Sequence, residues 1–208
     1  MEIILENISK KYGSQWIFRN IDFHFEAKTK YALIGHNGAG KSTLLDIIMG
    51  KIPYTKGKIS YQVNGNIVGI DSIYKHLSVA TTSMSLIEEF TLEEILQFHF
   101  RFRNIVKGLN QEDVLDLMEL GKEKKKFISN FSSGMKQRLK IGLALFTDSS
   151  LLIFDEPGAN LDLKSKQWFQ TLLAKYLNDR TLLIASNDAE DYQICDHIMD
   201  IEDFKLVG

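Results

Sequence analysis

The stretch that decides the fold runs from residue 31 to residue 43 and reads Tyr31-Ala32-Leu33-Ile34-Gly35-His36-Asn37-Gly38-Ala39-Gly40-Lys41-Ser42-Thr43. Its first four residues form an apolar run, which predicts a short strand buried on both faces of a parallel sheet. The eight residues from Gly35 to Ser42 match the pattern G-x-x-x-x-G-K-[ST], and a helical pattern with Leu44, Ile47 and Ile48 follows. A strand, a glycine-rich turn and a helix in this order are typical of a phosphate-binding turn.

This turn predicts a site for the phosphates of a nucleotide. Its glycines let backbone N–H groups point inward around phosphate oxygens, and the N-terminus of the following helix supplies further donors. Lys41 adds a positive charge for the β- and γ-phosphates, which also makes it a candidate for catalysis, and Ser42 offers an oxygen to Mg²⁺. His36 occupies a variable position of the pattern and is not expected to catalyse. A glycine-rich turn of no function is the alternative, but the flanking strand and helix favour binding. The predicted nucleotide-binding residues of the turn are Gly35, His36, Asn37, Gly38, Ala39, Gly40, Lys41, Ser42 and Thr43.

A second apolar run, from Leu151 to Phe154, ends in the two acids Asp155 and Glu156 and is followed by Pro157. In an enzyme with a phosphate-binding turn, the first such acid holds the water shell of Mg²⁺, and a following glutamate can accept a proton from the attacking water. Asp155 is therefore a predicted metal ligand and Glu156 a predicted catalytic base. The alternative is a pair of solvated acids at a strand end.

The rest of the chain predicts an α/β fold around a central parallel sheet. A third apolar run, from Thr181 to Ala185, has the same character as the first two, and a helical pattern precedes it. Three β-like stretches at residues 2–8, 21–27 and 57–63 are bounded by Asn, Gly and Lys, which indicates an antiparallel extension.

Residues 91–146 are predicted to be mainly helical, as an insertion in the α/β core. Asn110 with Asp113 is typical of the N-terminal cap of a helix, and Gly121 is expected to end that helix. An earlier helix is expected to place five residues on one apolar face, which are Leu92, Ile95, Leu96, His99 and Phe102.

Composition and charge exclude several classes of protein. Lys and Arg number 25 and Asp and Glu number 27, which gives a formal net charge of −2 and argues against a nucleic-acid partner. The single cysteine, Cys195, excludes an intramolecular disulfide and fits a reducing compartment. The acidic N-terminus is unlike a signal peptide, and no apolar run approaches the roughly 18 residues of a membrane span. We therefore expect a chain that is not exported and that contacts a membrane through a partner.

A third motif lies before the acid-ending strand and reads Phe131-Ser132-Ser133-Gly134-Met135-Lys136-Gln137-Arg138. Ser132 and Gly134 precede a predicted helix, where a hydroxyl and an N–H group can bind an anion; a simple serine helix cap is the alternative. In the order found here, the three motifs resemble those of ATP-binding-cassette ATPases, in the variant common among ATPase subunits of type-2 exporters. The resemblance covers nearly the whole chain.

The resemblance implies further site residues. It places Tyr12, in Lys11-Tyr12-Gly13, on the adenine ring. It makes Ser132, Ser133 and Gly134 the contact with ATP held by an opposite subunit, and it puts Asp162, in the segment Gly158–Asp162, near the dimer contact.

The resemblance also implies an architecture and partners. It implies a P-loop NTPase core with a parallel sheet, an antiparallel β subdomain and a helical subdomain, within one nucleotide-binding domain of residues 1–208. The core and β subdomain would comprise residues 1–80 and 147–208. The helical subdomain would comprise residues 81–146 and would contain the family's signature motif, which is residues 131–138 here.

ATP and Mg²⁺ would be the cofactors. The partners would be a second ATPase subunit, identical or related, and a membrane permease on a separate chain, docked on helices after Thr82. The chain would lie in the cytoplasm against the inner face of the membrane.

Two positions depart from the family pattern. Thr82 stands near the usual place of a glutamine that contacts Mg²⁺, and its hydroxyl still offers the metal an oxygen. Asn187 stands where a histidine usually contacts the γ-phosphate, and an amide donates a hydrogen bond but carries no full charge. Loss of one such contact costs about 10²- to 10³-fold in rate by analogy with deleted oxyanion donors, so turnover is expected to be low.

The presence of Lys41, Ser42, Asp155 and Glu156 favours an ATPase of an exporter. The alternative is a regulatory or scaffold subunit that dimerises on ATP with little hydrolysis, which the departures at Thr82 and Asn187 motivate. A small-molecule phosphotransferase would leave residues 131–138 without a role.

Overall fold

The computed structural model describes residues 1–205, which form two β-sheets connected by helices. In chain order, the strands are β1 (Glu2–Tyr12), β2 (Gln15–Phe25), β3 (Lys30–Ile34), β4 (Lys56–Val63), β5 (Asn66–Val68), β6 (Leu77–Ala80), β7 (Leu151–Asp155), β8 (Thr181–Ala185) and β9 (His197–Asp200). The α-helices are α1 (Lys41–Ile48), α2 (Leu92–Phe102), α3 (Gln111–Leu117), α4 (Ser133–Leu145), α5 (Leu163–Tyr176) and α6 (Ala189–Tyr192). Short 3₁₀ helices span Ile70–Lys75, Gly121–Glu123, Ile128–Asn130 and Ile201–Phe204.

The central sheet is parallel, with strand order β6-β7-β8-β3-β9. All five residues of β7 and all five of β8 are buried, since both faces of a parallel sheet are covered. The three predicted apolar strands therefore lie side by side as β7, β8 and β3, and the predicted α/β class with a parallel sheet is confirmed. Their carboxyl ends meet at one edge, which is where open α/β sheets bind ligands.

The second sheet is antiparallel, with strand order β2-β1-β4-β5. It contains the three stretches predicted to form an antiparallel extension, and β1 and β2 are longer than predicted at 11 residues each. Its buried side chains share one core with helix α1 and part of the parallel sheet.

Helices α2, α3 and α4 lie between strands β6 and β7, as the predicted helical insertion requires. Thr91 and Asn110 close capping boxes at the starts of α2 and α3, so the predicted Asn110–Asp113 cap is confirmed. The packed side of α2 joins a second core with α3, α4 and α5. The division of the chain into subdomains at residues 80 and 146 stays a prediction.

Two details of the helical insertion were predicted wrongly. Phe102 does not lie in the core: it is the last residue of α2, and its ring is 70% exposed beside Phe98. The next residue, Arg103, is extended, so no further helical turn covers that ring. Helix α3 ends at Leu117, before Gly121, because Glu119 takes the left-handed backbone conformation (φ 56°) that closes it.

Cys195 is partly buried in the second core, and burial raises the pKa of its thiol to about 12, in keeping with a structural cysteine. Among residues 1–205, no helix combines the length and the apolar character needed to cross a bilayer.

Candidate functional site

The candidate site lies where strands β7, β8 and β3 end together. Asp155 and Leu33 both pair with Ala185 of the strand between them, so the residues that follow each strand start at the same level. Backbone hydrogen bonds continue across this edge, from Glu156 N–H to Ala185 O (2.8 Å) and from Ser186 N–H to Leu33 O (3.3 Å). Three loops are thus held side by side at this edge.

The loop after β3 turns sharply into helix α1. Gly40 is the N-cap residue with a φ of 112°, a backbone conformation that L side chains rarely adopt. A Cβ atom there would also come within 2.7 Å of Ile17 Cγ2. No side chain caps this helix end and its first turn has no acidic residue, so its N–H groups suit an anion.

Lys41 is enclosed by this loop and is only 6% exposed. Its Nζ donates hydrogen bonds to Gly35 O (2.7 Å) and to Asn187 Oδ1 (2.7 Å), with His36 O at 3.4 Å. Glu156 Oε1 lies 3.7 Å from the same nitrogen. The predicted phosphate-binding cation and the predicted base are therefore neighbours.

Asn187 connects two parts of the site. Its Oδ1 accepts the Lys41 bond, and its Nδ2 donates to Asn37 Oδ1 (2.6 Å). A cleft of about 220 Å³ opens beside this pair, and its lining consists of Ile17, Asn37, Gly38, Gly40, Lys41, Ser42, Thr43 and Glu156.

Asp155 has an oxygen atom without a partner. The residue is 3% exposed, and its Oδ1 is buried with no hydrogen bond within the described chain. Its Oδ2 accepts a hydrogen bond from Thr82 Oγ1 (3.3 Å). Burial raises the pKa of Asp155, and the nearby hydroxyls of Ser42 and Thr82 oppose that rise.

These oxygens fit a magnesium ion. Mg²⁺ is held through one or two carboxylates together with phosphates and water, and a buried carboxylate oxygen without a partner leaves room for such a ligand. Within residues 1–205, no group of three or more His, Cys, Asp and Glu side chains forms an all-protein metal site. The three predicted metal ligands, Ser42, Asp155 and Thr82, are thus brought together, and their role stays a prediction.

Glu156 sits on a strained backbone. Its φ is 50°, a left-handed conformation that costs a residue with a side chain on the order of 1–3 kcal/mol. Its Oε2 accepts a hydrogen bond from Ser186 Oγ (3.0 Å), while Oε1 faces Lys41. The turn directs the side chain toward the end of the neighbouring strand.

The third sequence motif, residues 131–138, contains the start of helix α4. Ser132 is the N-cap residue, and its Oγ accepts a hydrogen bond from Met135 N–H (3.2 Å). Ser132 and Ser133 are exposed. Within residues 1–205, no hydrogen bond joins residues 132–134 to residues 35–43.

Helix α4 does contact the loop after β7. Gln137 Nε2 donates to Pro157 O (2.9 Å), and a Cβ atom on Gly134 would lie 3.4 Å from Asn160 O. Asp162 ends this loop by capping helix α5, since its Oδ1 accepts a hydrogen bond from Ser165 N–H (2.8 Å). Its interaction with Ser165 lowers the pKa of the Asp162 carboxyl.

Two further predicted nucleotide-binding residues, Tyr12 and His36, are also not part of the lining of the cleft. Tyr12 ends strand β1, is 53% exposed and has Lys10 Nζ 4.7 Å from its ring centre. His36 points to Glu202 of the C-terminal 3₁₀ helix, with Nδ1 and Oε1 2.6 Å apart. The backbone N–H of His36 donates to the same oxygen (3.0 Å), which lowers the pKa of Glu202.

Sequence reasoning missed four residues around the site, which are Ile17, Ser186, Asp191 and Glu202. Ser186 directly precedes Asn187 at the end of an apolar strand, so its position was a usable signal. The other three are brought in by tertiary contacts, and the sequence motifs do not include them.

Comparison with known proteins identifies the family to which the chain is similar. The model of the ABC transporter family matches residues 18–159. The linearmycin resistance ATP-binding protein LnrL of Bacillus subtilis is 31% identical over 211 residues, covering 98% of this chain and 67% of LnrL. The bacitracin transport ATP-binding protein BcrA of Enterococcus faecalis is 32% identical over 203 residues, covering 95% of this chain and 66% of BcrA. This chain thus spans about two thirds of the length of both relatives.

A solved structure shares the fold. The dimeric structure of MJ0796, described as a bacterial ABC transporter cassette, has a TM-score of 0.81 at 21% identity, covering 95% of this chain and 93% of that one. The predicted core, a parallel sheet with a glycine-rich turn between strand β3 and helix α1, accompanied by an antiparallel sheet and inserted helices, is therefore confirmed as the fold of such cassettes.

Proposed function

The chain belongs to the ABC transporter family, and we propose that it hydrolyses ATP to drive a permease carried on a separate chain. The observation that carries the proposal is the 3.7 Å approach of Glu156 Oε1 to Lys41 Nζ beside the phosphate-binding turn. A cation for phosphates and a carboxylate base then face one cleft, which is the arrangement that phosphoryl transfer to water needs.

Lys41 and the start of helix α1 would bind the phosphates of ATP. Lys41 Nζ donates hydrogen bonds to two backbone carbonyl oxygens and one side-chain amide oxygen. Phosphate oxygens would replace these acceptors, because a charged acceptor forms a stronger hydrogen bond. Asn187 Nδ2 is the donor that would reach the γ-phosphate. The residues Ser132, Ser133, Gly134, Tyr12 and Asp162 keep their implied roles as proposals.

Ser42, Asp155 and Thr82 would hold Mg²⁺, which when bound would neutralise charge on the β- and γ-phosphates. The unpartnered Asp155 Oδ1 supports this assignment. Glu156 would orient the attacking water and accept its proton, with Oε2 held by Ser186.

The replacement of the usual family residues by Thr82 and Asn187 determines the rate of ATP hydrolysis that we expect. Asn187 contacts Lys41 through an amide oxygen, so the site has an amide where a family histidine would supply a charge. We propose that turnover is low but that hydrolysis proceeds, because Glu156, Lys41 and Asp155 are all in place.

A second subunit would complete the site. Ser132 and Ser133 are exposed and make no hydrogen bond to the phosphate-binding turn of their own chain, which supports their use on ATP bound by another subunit, identical or related.

The permease would dock on the helices after Thr82, where Phe98 and Phe102 are 47% and 70% exposed. The chain would then lie at the inner face of the membrane. The name of LnrL, a resistance protein, supports export as the direction.

The test is phosphate release from Mg-ATP at several protein concentrations, for the wild type and Glu156→Gln. We expect a rate that rises faster than linearly with concentration, since two chains form the site, and that falls strongly in the variant. A rate strictly linear in concentration would contradict the two-chain site, and equal rates for both proteins would contradict the role of Glu156.

A further inference from the structure

A buried carboxyl group lies behind Glu156 and has no part in binding phosphate or metal. Asp191, in helix α6, is 2% exposed, and its Oδ2 lies 2.7 Å from Ser186 Oγ. The same oxygen accepts the N–H of Gly158 (3.3 Å), in the loop that follows Glu156. Ser186 is itself fully buried.

The hydroxyl of Ser186 touches three groups, and their protons can be counted. Asp188 N–H donates to Ser186 Oγ (3.0 Å), and the hydroxyl also contacts Glu156 Oε2 (3.0 Å) and Asp191 Oδ2 (2.7 Å). A hydroxyl has one proton and two lone pairs. Its proton serves one of the two acids, so the other contact requires a proton on the carboxyl group itself.

The surroundings decide which acid holds that proton. Glu156 Oε1 lies 3.7 Å from the Lys41 ammonium, and the Glu156 side chain is 29% exposed to solvent. Asp191 has neither advantage: the nearby Lys166 is paired with Asp188 and Glu190. Burial raises the pKa of Asp191 and the negative charge of Asp188 adds to the rise, while the contacts with Ser186 and Gly158 and the positive charge of Lys166 oppose it.

We propose that Asp191 is a positioning residue for ATP hydrolysis. Its Oδ2 keeps a proton and donates a hydrogen bond to Ser186 Oγ. This bond leaves the Ser186 hydroxyl proton to form a hydrogen bond with Glu156 Oε2. The inference rests on the proposed role of Glu156 as base. With Oε2 occupied, Oε1 is the oxygen left to face the cleft. Asp191 fixes the following loop as well, since a Cβ atom on Gly158 would lie 2.2 Å from Asp191 Oδ1.

The first test observes the proton directly. Protein labelled with ¹³C at aspartate carboxyl groups is titrated by NMR without nucleotide, and Asp191→Asn assigns the resonance by its loss. We expect the Asp191 carboxyl to have the chemical shift of a protonated acid at pH 7. A shift typical of an ionised carboxylate at pH 7 would overturn the proposal. Since no ATP is present, this result is independent of whether the chain hydrolyses ATP.

The second test measures the positioning effect on wild-type and variant ATPases. Asp191→Ala should lower kcat by roughly 5- to 30-fold, the cost of one buried hydrogen-bond partner, with KM unchanged because Asp191 makes no contact with the phosphate-binding turn. Asp191→Asn keeps an N–H donor toward Ser186 and should recover most of that loss. Glu190→Gln, on the same helix but exposed, is the matched control and should leave kcat unchanged.

The outcomes separate the two proposals. Equal losses of kcat in Asp191→Ala and Asp191→Asn, or a change in KM without a change in kcat, would overturn the positioning role. Unfolding temperatures measured for the same proteins identify a variant that fails to fold. A wild type without ATPase activity would instead overturn the proposed function, and the NMR titration would still decide where the proton resides.

Discussion

Removing the charge of Lys41 should weaken ATP binding far more than removing an ordinary lysine does. In the structure Lys41 Nζ is 6% exposed and has oxygen partners at 2.7 Å on two sides, so the ammonium is fixed in the cleft before any phosphate arrives. Lys41→Ala deletes this preorganised cation. Lys51→Ala, a 43% exposed lysine just beyond helix α1 and paired with Asp46, is the matched control.

The magnitude follows from the bonds lost. A hydrogen bond to a charged group contributes about 1.5–3 kcal/mol, which corresponds to roughly 10- to 150-fold in affinity. Because Lys41 is expected to contact both the β- and the γ-phosphate, we predict that ATP affinity falls by about 100-fold or more and that ADP affinity falls less.

Equilibrium titration with a fluorescent ATP analogue measures this effect, with thermal unfolding to verify that each variant is folded. The control should bind ATP like the wild type. A folded Lys41→Ala protein with unchanged ATP affinity would refute the assignment of the phosphate-binding turn, and equal losses for ATP and ADP would refute the γ-phosphate contact.

Three further predictions concern single residues. Asn187→His should raise the steady-state kcat, because an imidazolium adds a charge at the γ-phosphate; an unchanged kcat would show that the missing charge does not limit turnover. Asn110→Ala should lower the free energy of unfolding in urea by about 1 kcal/mol, since it removes the cap of helix α3; a stability equal to that of the wild type would contradict this. Glu94 has a lowered pKa because it accepts hydrogen bonds from the backbone and hydroxyl of Thr91. Its stabilising effect is therefore present above the ordinary glutamate pKa and is lost as the pH falls through the lower folded value. The difference in unfolding temperature between wild type and Glu94→Gln should vanish at that acid limit, and a difference independent of pH would refute the argument.

The parts of the fold that the sequence predicts are those with local signals. Buried parallel strands appear as continuous apolar runs, so β3, β7 and β8 were found, and the turn from Gly35 to Ser42 carries its own chemical pattern. Because these strands are adjacent in one sheet, the loops at their carboxyl ends bring Lys41, Glu156 and Asn187 together. The motifs predicted that these three residues belong to one site.

The remaining features depend on contacts between distant segments. The approach of Glu202 to His36 joins residues 166 positions apart, and Asp191 reaches Glu156 only through Ser186. Phe102 has the spacing of a core residue, but whether a neighbouring element covers the last turn of a helix is a tertiary property. Periodicity alone therefore placed Phe102 wrongly.

Glu156 is proposed to act as the base for ATP hydrolysis in the cleft beside Lys41. The most direct measurement identifies the nucleotide that stays bound after a single-turnover incubation of wild-type protein and Glu156→Gln with Mg-ATP. We expect ADP on the wild type and intact ATP on Glu156→Gln. Cleavage of bound ATP by Glu156→Gln at the wild-type rate would rule out Glu156 as the base.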